Sequence, residues 1–264
     1  MNIAEFQELI WEQGRAHYRT MPWRDEPLLY NVLVSEIMLQ QTQVSRVLTK
    51  YTLFMQAFPT IEALAQAPLS AVLTQWQGLG YNRRAKFLHE AAKYVVANGT
   101  PTSIHELVAL PGVGKNTAGA IMNYVYETPT AYIETNIRTV YFEHFFSNST
   151  EVSDAQLLAS VESTLDQEHP REWFYAIMDY GAYLKSVGSA RLTQSKHYKK
   201  QPPLVGSVRE VRGYILALLS NGPATKADII LSRPAFADRL EAAVLGLLAD
   251  GLVTEAGGKL KLTD

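Results

Sequence analysis

The chain has 264 residues, 47% of them hydrophobic and 19% charged, with no cysteine and a formal net charge of −2 at pH 7. That length and apolar content allow a substantial core and more than one folding unit. The missing cysteines exclude disulfides, thiolate metal sites and a cysteine nucleophile, and the near-neutral charge leaves any nucleic-acid binding to local patches.

Ile3, Phe6, Ile10, Trp11 and Tyr18 fall at near-helical spacing and predict an amphipathic helix over 3–18, ended by Pro22. Trp23-Arg24 then stands in a connection. One long helix is expected over 35–58, SEIMLQQTQVSRVLTKYTLFMQAF, with Leu33, Ile37, Leu39, Val44 and Val47 at buried positions. Phe58-Pro59-Thr60 breaks it, and Thr60 can cap a helix from Ile61 to Ala67. A short helix over 71–76 precedes Gly78-Leu79-Gly80-Tyr81, a turn, and the next helix opens at Arg83, Arg84 and Lys86 and closes at Asn98-Gly99. Residues 152–165 and 172–184 supply two more. Helices of this length, joined by short Pro and Gly breaks, argue an all-α core over the first two hundred residues.

From Lys185 to Arg212 the composition turns basic, with Lys185, Arg191, Lys196, Lys199, Lys200, Arg209 and Arg212 against the single acid Glu210. This is either a solvated linker or a stretch that meets phosphates. Helices are expected over 208–220 and 236–250, with a third between them capped by Thr225, and Leu252 to Leu262 alternates around Gly257-Gly258 like a β-hairpin. The pattern resembles a winged helix-turn-helix. Its expected recognition helix carries Asp238, Arg239 and Glu241 rather than a basic face, so DNA contact and a packing or partner-binding role both stay open.

The stretch 110–140, LPGVGKNTAGAIMNYVYETPTAYIETNIRTV, organises the rest. Gly112 and Gly114 permit positive φ and carry no Cβ, so the N–H groups of the turn can converge at the start of a helix, where an anion such as phosphate is favoured. A tight connection between packed helices would use the same residues. Lys115 adds a cation at the mouth, and about twenty residues on Glu134, Asn136 and Arg138 crowd into an apolar segment.

Leu110-Pro111-Gly112-Val113-Gly114 followed by a carboxylate-x-Asn segment resembles the helix-hairpin-helix DNA glycosylases, and most closely the adenine DNA glycosylases of the MutY type. The resemblance extends through Met21-Pro22-Trp23-Arg24, Ser35-Glu36-Ile37-Met38-Leu39-Gln40-Gln41-Thr42-Gln43-Val44, Gly78-Leu79-Gly80-Tyr81 and Ala176-Ile177-Met178-Asp179-Tyr180-Gly181-Ala182, about three quarters of the chain. It implies a two-lobed glycosylase core over 1–200, with a six-helix lobe over about 26–134 and a second lobe from 1–25 plus 135–200, then a linker over 201–206 and the winged-helix-like module over 207–264. The substrate it implies is double-stranded DNA containing a mismatch or damaged base. Most relatives hold an iron-sulfur cluster on four cysteines just past the AIMDYGA segment, where this chain has none. No cofactor is therefore expected, and Tyr183, Leu184 and Tyr198 are candidates to hold that segment instead. The resemblance also implies a larger domain that reads 8-oxoguanine in typical relatives, and a chain of this length is expected not to hold it.

Releasing a base requires a proton donor to the leaving group and a carboxylate near the developing oxocarbenium ion. Glu36 lies among Leu33, Val34, Ile37 and Met38, where desolvation would raise its pKa toward the donating range, and by the resemblance it protonates the flipped adenine. A half-buried helix carboxylate bonded to a neighbour would look the same. Glu134 stands where the family has aspartate and Thr135 where it has glycine, and the added methylene moves the carboxylate by about one bond length, on a scale where about 1 Å matters. Asn136 keeps its family position, orienting a carboxylate or the sugar, or capping a helix from Ile137. Asn116 occupies the position of the lysine that gives bifunctional relatives their lyase activity, so a monofunctional enzyme is implied. The resemblance also implies that Asn116, Trp23 and Arg24 line the base pocket, that Gln41 wedges into the duplex, that Tyr81 inserts beside the opposite base, and that Gly112, Val113, Gly114 and Lys115 grip the phosphates.

The first reading is excision of adenine opposite guanine or 8-oxoguanine. Two alternatives stand beside it: a glycosylase of this fold for uracil or thymine mismatches, hypoxanthine or alkylated purines, and a non-catalytic binder of damaged DNA. A monomer is expected. Met1-Asn2-Ile3-Ala4-Glu5-Phe6 is no signal peptide and no apolar run nears the roughly 18 residues that span a bilayer, so a cytoplasmic location is expected, and the resemblance implies a bacterial one.

Overall fold

The computed structural model describes residues 2–149, 151–189 and 202–264. Expectations resting on Arg191, Lys196, Tyr198, Lys199 and Lys200 lie outside the described residues. In chain order the helices are α1 (Ile3–Ala16), α2 (Pro22–Asp25), α3 (Leu29–Leu39), α4 (Val44–Ala57), α5 (Ile61–Gln66), α6 (Leu69–Gln75), α7 (Arg83–Asn98) and α8 (Ile104–Ala109). The series continues with α9 (Lys115–Tyr124), α10 (Thr135–His144), α11 (Asp154–Thr164) and α12 (Pro170–Ser186). The C-terminal segment runs α13 (Val208–Leu219), β1 (Ala224–Thr225), α14 (Lys226–Ser232), α15 (Ala237–Ala249), β2 (Val253–Ala256) and β3 (Lys259–Leu262).

These elements form two compact units, Met1–Val32 with Thr102–Ala109 and Val113–Lys200, and Leu33–Pro101 with Leu110–Gly112 and Gln201–Asp264. The grouping differs from the division expected from the sequence. Residues 102–109 and 113–134 join the first unit rather than the six-helix lobe, and the C-terminal segment shares its unit with residues 33–101.

In the first unit α12 packs against both α1 and α10. Phe6 and Ile10 of α1, Trp173, Phe174 and Ile177 of α12, and Val140 and Tyr141 of α10 are fully buried, as three- and four-residue spacing requires of facing helices. The Phe6 ring lies 5.2 Å from Tyr141 and 4.8 Å from Phe145. Ile3 and Tyr18, expected on this apolar face, are exposed. Pro22 does not end α1, which stops at Ala16; it opens α2 as that helix's first residue, where its missing N–H has no intrahelical partner to lose.

The second unit places α7 against α5 and α6, with Ala85, Leu88, Ala91 and Ala92 buried between them. The long helix expected over 35–58 is interrupted. α3 ends at Leu39, Gln41 takes φ 56°, and α4 starts at Val44. The physical reason is Arg84, a buried guanidinium whose Nη1 donates to the carbonyls of Ile37, Met38 and Gln40 at 2.7, 2.9 and 2.6 Å. Those carbonyls would otherwise serve N–H groups of a continuing helix. Thr60 and Thr225 cap α5 and α14 as expected. In the C-terminal segment α13 and α15 pack together beside an antiparallel sheet of order β1-β3-β2, whose β3 buries Leu260 and Leu262 on one face. Asp250 after α15 pairs with Arg212, accepts Lys86 Nζ at its carbonyl at 3.0 Å and lies 3.5 Å from Arg83, while Ser70 Oγ donates to Asp264 at 2.7 Å. These contacts bind the segment to α6 and α7.

Candidate active site

Glu134 is the N-cap of α10. Its Oε1 accepts from the backbone N–H of Asn136 and, at 2.9 Å, from that of Ile137. The cap is thus the carboxylate itself and not Asn136, and the helix begins two residues before the expected Ile137, at Thr135. Glutamate is not among the favoured capping residues, yet its extra methylene lets one oxygen span two N–H groups of the first turn. Burial pushes the Glu134 pKa up. The Ile137 N–H, the Lys185 ammonium and the Asn136 and Thr135 N–H groups pull the other way without cancelling it.

Around this carboxylate, Asn136 sends Nδ2 toward Glu134 Oε2 at 3.5 Å and Met178 Sδ at 3.8 Å. Its Oδ1 is buried and has no hydrogen-bond partner among the described residues, so it is open to a donor such as a water or a substrate group. The approach of α12 to α10 is set by Gly181: a Cβ there would lie 2.5 Å from the Asn136 carbonyl oxygen. One turn further along α12, Lys185 feels Glu134 electrostatically. Its own pKa is lowered by burial, against the Glu134 charge and with help from Arg19.

Arg24 was expected to line a base pocket, but its guanidinium is committed elsewhere. Nη1 and Nη2 hold the two oxygens of Asp179 at 2.7 and 2.9 Å, with the Tyr175 ring 4.3 Å beneath, and the side chain is 4% exposed. Arg19 adds its N–H at 3.0 Å and its Nε at 2.7 Å to the same carboxylate. Burial works against the Arg24 charge, but Asp179 outweighs it and leaves the pKa above the ordinary arginine value. The cluster ties α2 to α12 and so holds the helix that carries Gly181 and Lys185. Trp23 is buried beside it.

Asn116 sits in the exposed first turn of α9, where its Oδ1 accepts the Ile133 N–H at 3.4 Å, next to Glu134 in the chain. With Lys115, Ile133, Asp154 and others it lines a groove of about 720 Å3. Trp23 and Arg24 are not in its walls, so the structure does not join the three expected pocket residues there. Gly114 caps α9 with φ −89°, an extended conformation open to any residue, and no side chain closes the helix start. What Gly114 contributes is an absent Cβ: nothing lies within 4 Å of where one would be. Gly112 does take φ 78°, and a Cβ there would meet Phe87 at 2.8 Å. Lys115 is exposed and Val113 buried.

In the second unit Glu36 is half-buried on α3 between fully buried Ser35 and Ile37. Gln41 is exposed at the break between α3 and α4, and Tyr81 takes φ 47°, a conformation costly to a side chain with a Cβ. Arg84 fixes both, because its Nη2 also donates to Thr42 Oγ1 at 3.0 Å and to the carbonyls of Leu79 and Gly80 at 3.2 and 3.1 Å. Burial pushes its pKa down to about 10, so it keeps its charge at neutral pH. Asp179 and Arg84 carry no local signal of these partnerships in the sequence, and Lys185 and Arg209 read there only as members of a basic stretch. Asp179, a charge inside the apolar AIMDYGA helix, is the one visible sign that some partner is needed.

A family model for the HhH-GPD superfamily base excision DNA repair proteins matches residues 34–163. An adenine DNA glycosylase of Mycolicibacterium smegmatis is 32% identical, over 99% of this chain and 97% of its own. The human adenine DNA glycosylase is 38% identical over 62% of this chain and 33% of its own, and that of Buchnera aphidicola subsp. Baizongia pistaciae 35% over 63% and 48%. The chain therefore spans about half of the Buchnera relative and nearly all of the mycobacterial one. The fold is shared with a thermostable thymine-DNA glycosylase, with a TM-score of 0.63 and 23% identity over 72% of this chain and 90% of that one. A trapped endonuclease III–DNA covalent intermediate gives 0.53 and 17% over 77% and 91%. The chain belongs to the HhH-GPD superfamily of base excision DNA repair proteins and, within it, to the adenine DNA glycosylases. The iron-sulfur cluster of most relatives does not fit here, since there is no thiolate in the sequence to bind it.

Proposed function

We propose that this chain is a monofunctional adenine DNA glycosylase acting, as a monomer, on adenine mispaired with guanine or 8-oxoguanine. The observation that carries the reading is the Glu134 carboxylate fixed on the first turn of α10 beside the unsatisfied Asn136 Oδ1. In this reading Glu36 gives its proton to the flipped adenine as the C1′–N9 bond breaks. Glu134, ionised, stabilises the oxocarbenium-like sugar, with Asn136 orienting that carboxylate or the sugar, and water adds its oxygen to C1′ and gives up a proton that restores the acid. The uncapped start of α9, with Gly114 and Lys115, takes a backbone phosphate. Gln41 fills the gap left by the flipped base and Tyr81 stacks beside its former partner. Asn116 in the lyase position supports release of the base without strand cleavage.

The test is single-turnover excision on labelled duplexes carrying adenine opposite 8-oxoguanine, guanine or cytosine, with uracil, thymine, hypoxanthine and alkylated purines in parallel. Alkali reveals abasic products, and borohydride detects any covalent intermediate. Release from the adenine mismatches that is lost in Glu36→Gln and Glu134→Gln is expected. Release only elsewhere on the panel would make this a glycosylase for another lesion, and binding without release a non-catalytic reader. A borohydride adduct would overturn the monofunctional reading, with Lys185 the first lysine to replace.

A further inference from the structure

The C-terminal segment reaches the proposed opposite-strand reader directly. Arg209, in the first turn of α13, donates Nη1 to the Tyr81 hydroxyl at 3.1 Å, with its guanidinium 5.9 Å from the centre of the Tyr81 ring. Its Nη2 is held by the carbonyls of Pro202 and Pro203 at 2.7 and 3.3 Å, so the fork is oriented before it meets the tyrosine. Tyr81 is otherwise placed through the backbone: φ 47° presents the ring, Arg84 holds the Leu79 and Gly80 carbonyls behind it, and the Arg84 guanidinium lies 5.5 Å from the ring centre. A ring raised on such a turn can still rotate about its own side-chain bonds, and Arg209 is the residue that donates to its hydroxyl among the described residues.

We propose that Arg209 is a specificity-determining positioning residue: it fixes the Tyr81 ring through its hydroxyl, so that the C-terminal segment contributes to the preference for the base opposite the excised one. This rests on Tyr81 as the residue that stacks beside the opposite base. A stacking platform held in its bound orientation loses less freedom on binding and discriminates more sharply between partners of different shape.

The experiment measures affinity for duplexes carrying a tetrahydrofuran abasic analogue opposite 8-oxoguanine, guanine or cytosine, which needs no excision and so stays readable if the adenine assignment fails. Arg209→Gln is expected to shrink the preference ratio among opposite bases about tenfold or more, the scale of one charged hydrogen bond. Tyr81→Phe should match it, the double variant should add nothing further, and Arg209→Lys, which keeps the charge but not the fork, should behave like Arg209→Gln. Ser70→Ala, which loosens a different contact of the same segment, should keep the wild-type ratio. An equal loss for all three duplexes, full rescue by lysine, additive effects, the same change in Ser70→Ala, or a wild-type protein without opposite-base preference would each overturn the proposal.

Discussion

Glu134 carries two demands that pull against each other. As the cap of α10 it is held by N–H groups that favour its charge, yet burial wins and its pKa rises. Folding therefore disfavours the ionised form. The cost is absent in acid, where the carboxyl is protonated in both states, and grows as pH rises from the unfolded carboxylate range through the higher folded value. Glu134→Gln, a neutral isostere that still accepts hydrogen bonds, should melt higher than wild type at pH 7 by about 2–4 °C, if about 1 kcal/mol is at stake, while excision is lost. The gap should close below about pH 4; calorimetry across pH checks both, and a lower melting point at neutral pH would give the cap more weight than burial. Lys185 favours the charged carboxylate. In Lys185→Gln the Glu134 pKa should climb further, so the acidic limb of the single-turnover pH–rate profile moves to higher pH, whereas Lys185→Arg should leave it near its wild-type place.

At the scale of elements, the site depends on how closely α12 approaches the start of α10. Gly181→Ala would drive a methyl into the Asn136 backbone, displacing Asn136 and the capped Glu134 together. The expected loss is about 1–3 kcal/mol of stability by denaturant titration and about 100-fold in excision rate; a variant that loses stability alone would separate the packing from the chemistry. Much of the element plan was legible in the sequence, because caps such as Thr60 and Thr225 and apolar faces such as those of α1 and α12 are written in three- and four-residue spacings. The hairpin and the paired Glu134 and Asn136 were visible for the same reason, being local. What stayed hidden joins residues far apart through backbone carbonyls or buried charge. Arg84 ending α3, Arg19 and Arg24 converging on Asp179, and Arg209 meeting Tyr81 have no periodic signature, and a guanidinium at a helix start reads as solvent-facing until its acceptors are known. The break at Gln41 was missed on that account, since nothing local in Leu39-Gln40-Gln41-Thr42 forbids a helix.

For the whole molecule, the C-terminal segment is part of a unit and not a pendant. Asp250, Asp264 and Arg209 join it to Arg83, Lys86, Ser70 and Tyr81. A chain stopped after Lys200 should therefore unfold at a lower temperature than the full protein, seen by circular dichroism; an unchanged transition for the remainder would make the segment independent. On its charged helices Lys226 pairs with Glu241 and Arg239 with Asp238. In the first unit His17 stacks on Tyr183 with ring centres 3.8 Å apart, fastening the last turn of α12 to the end of α1. A stack of two rings forms without any metal. Protein treated with chelator is therefore expected to keep its untreated excision rate, and a fall in that rate would reveal a metal that the rings do not replace.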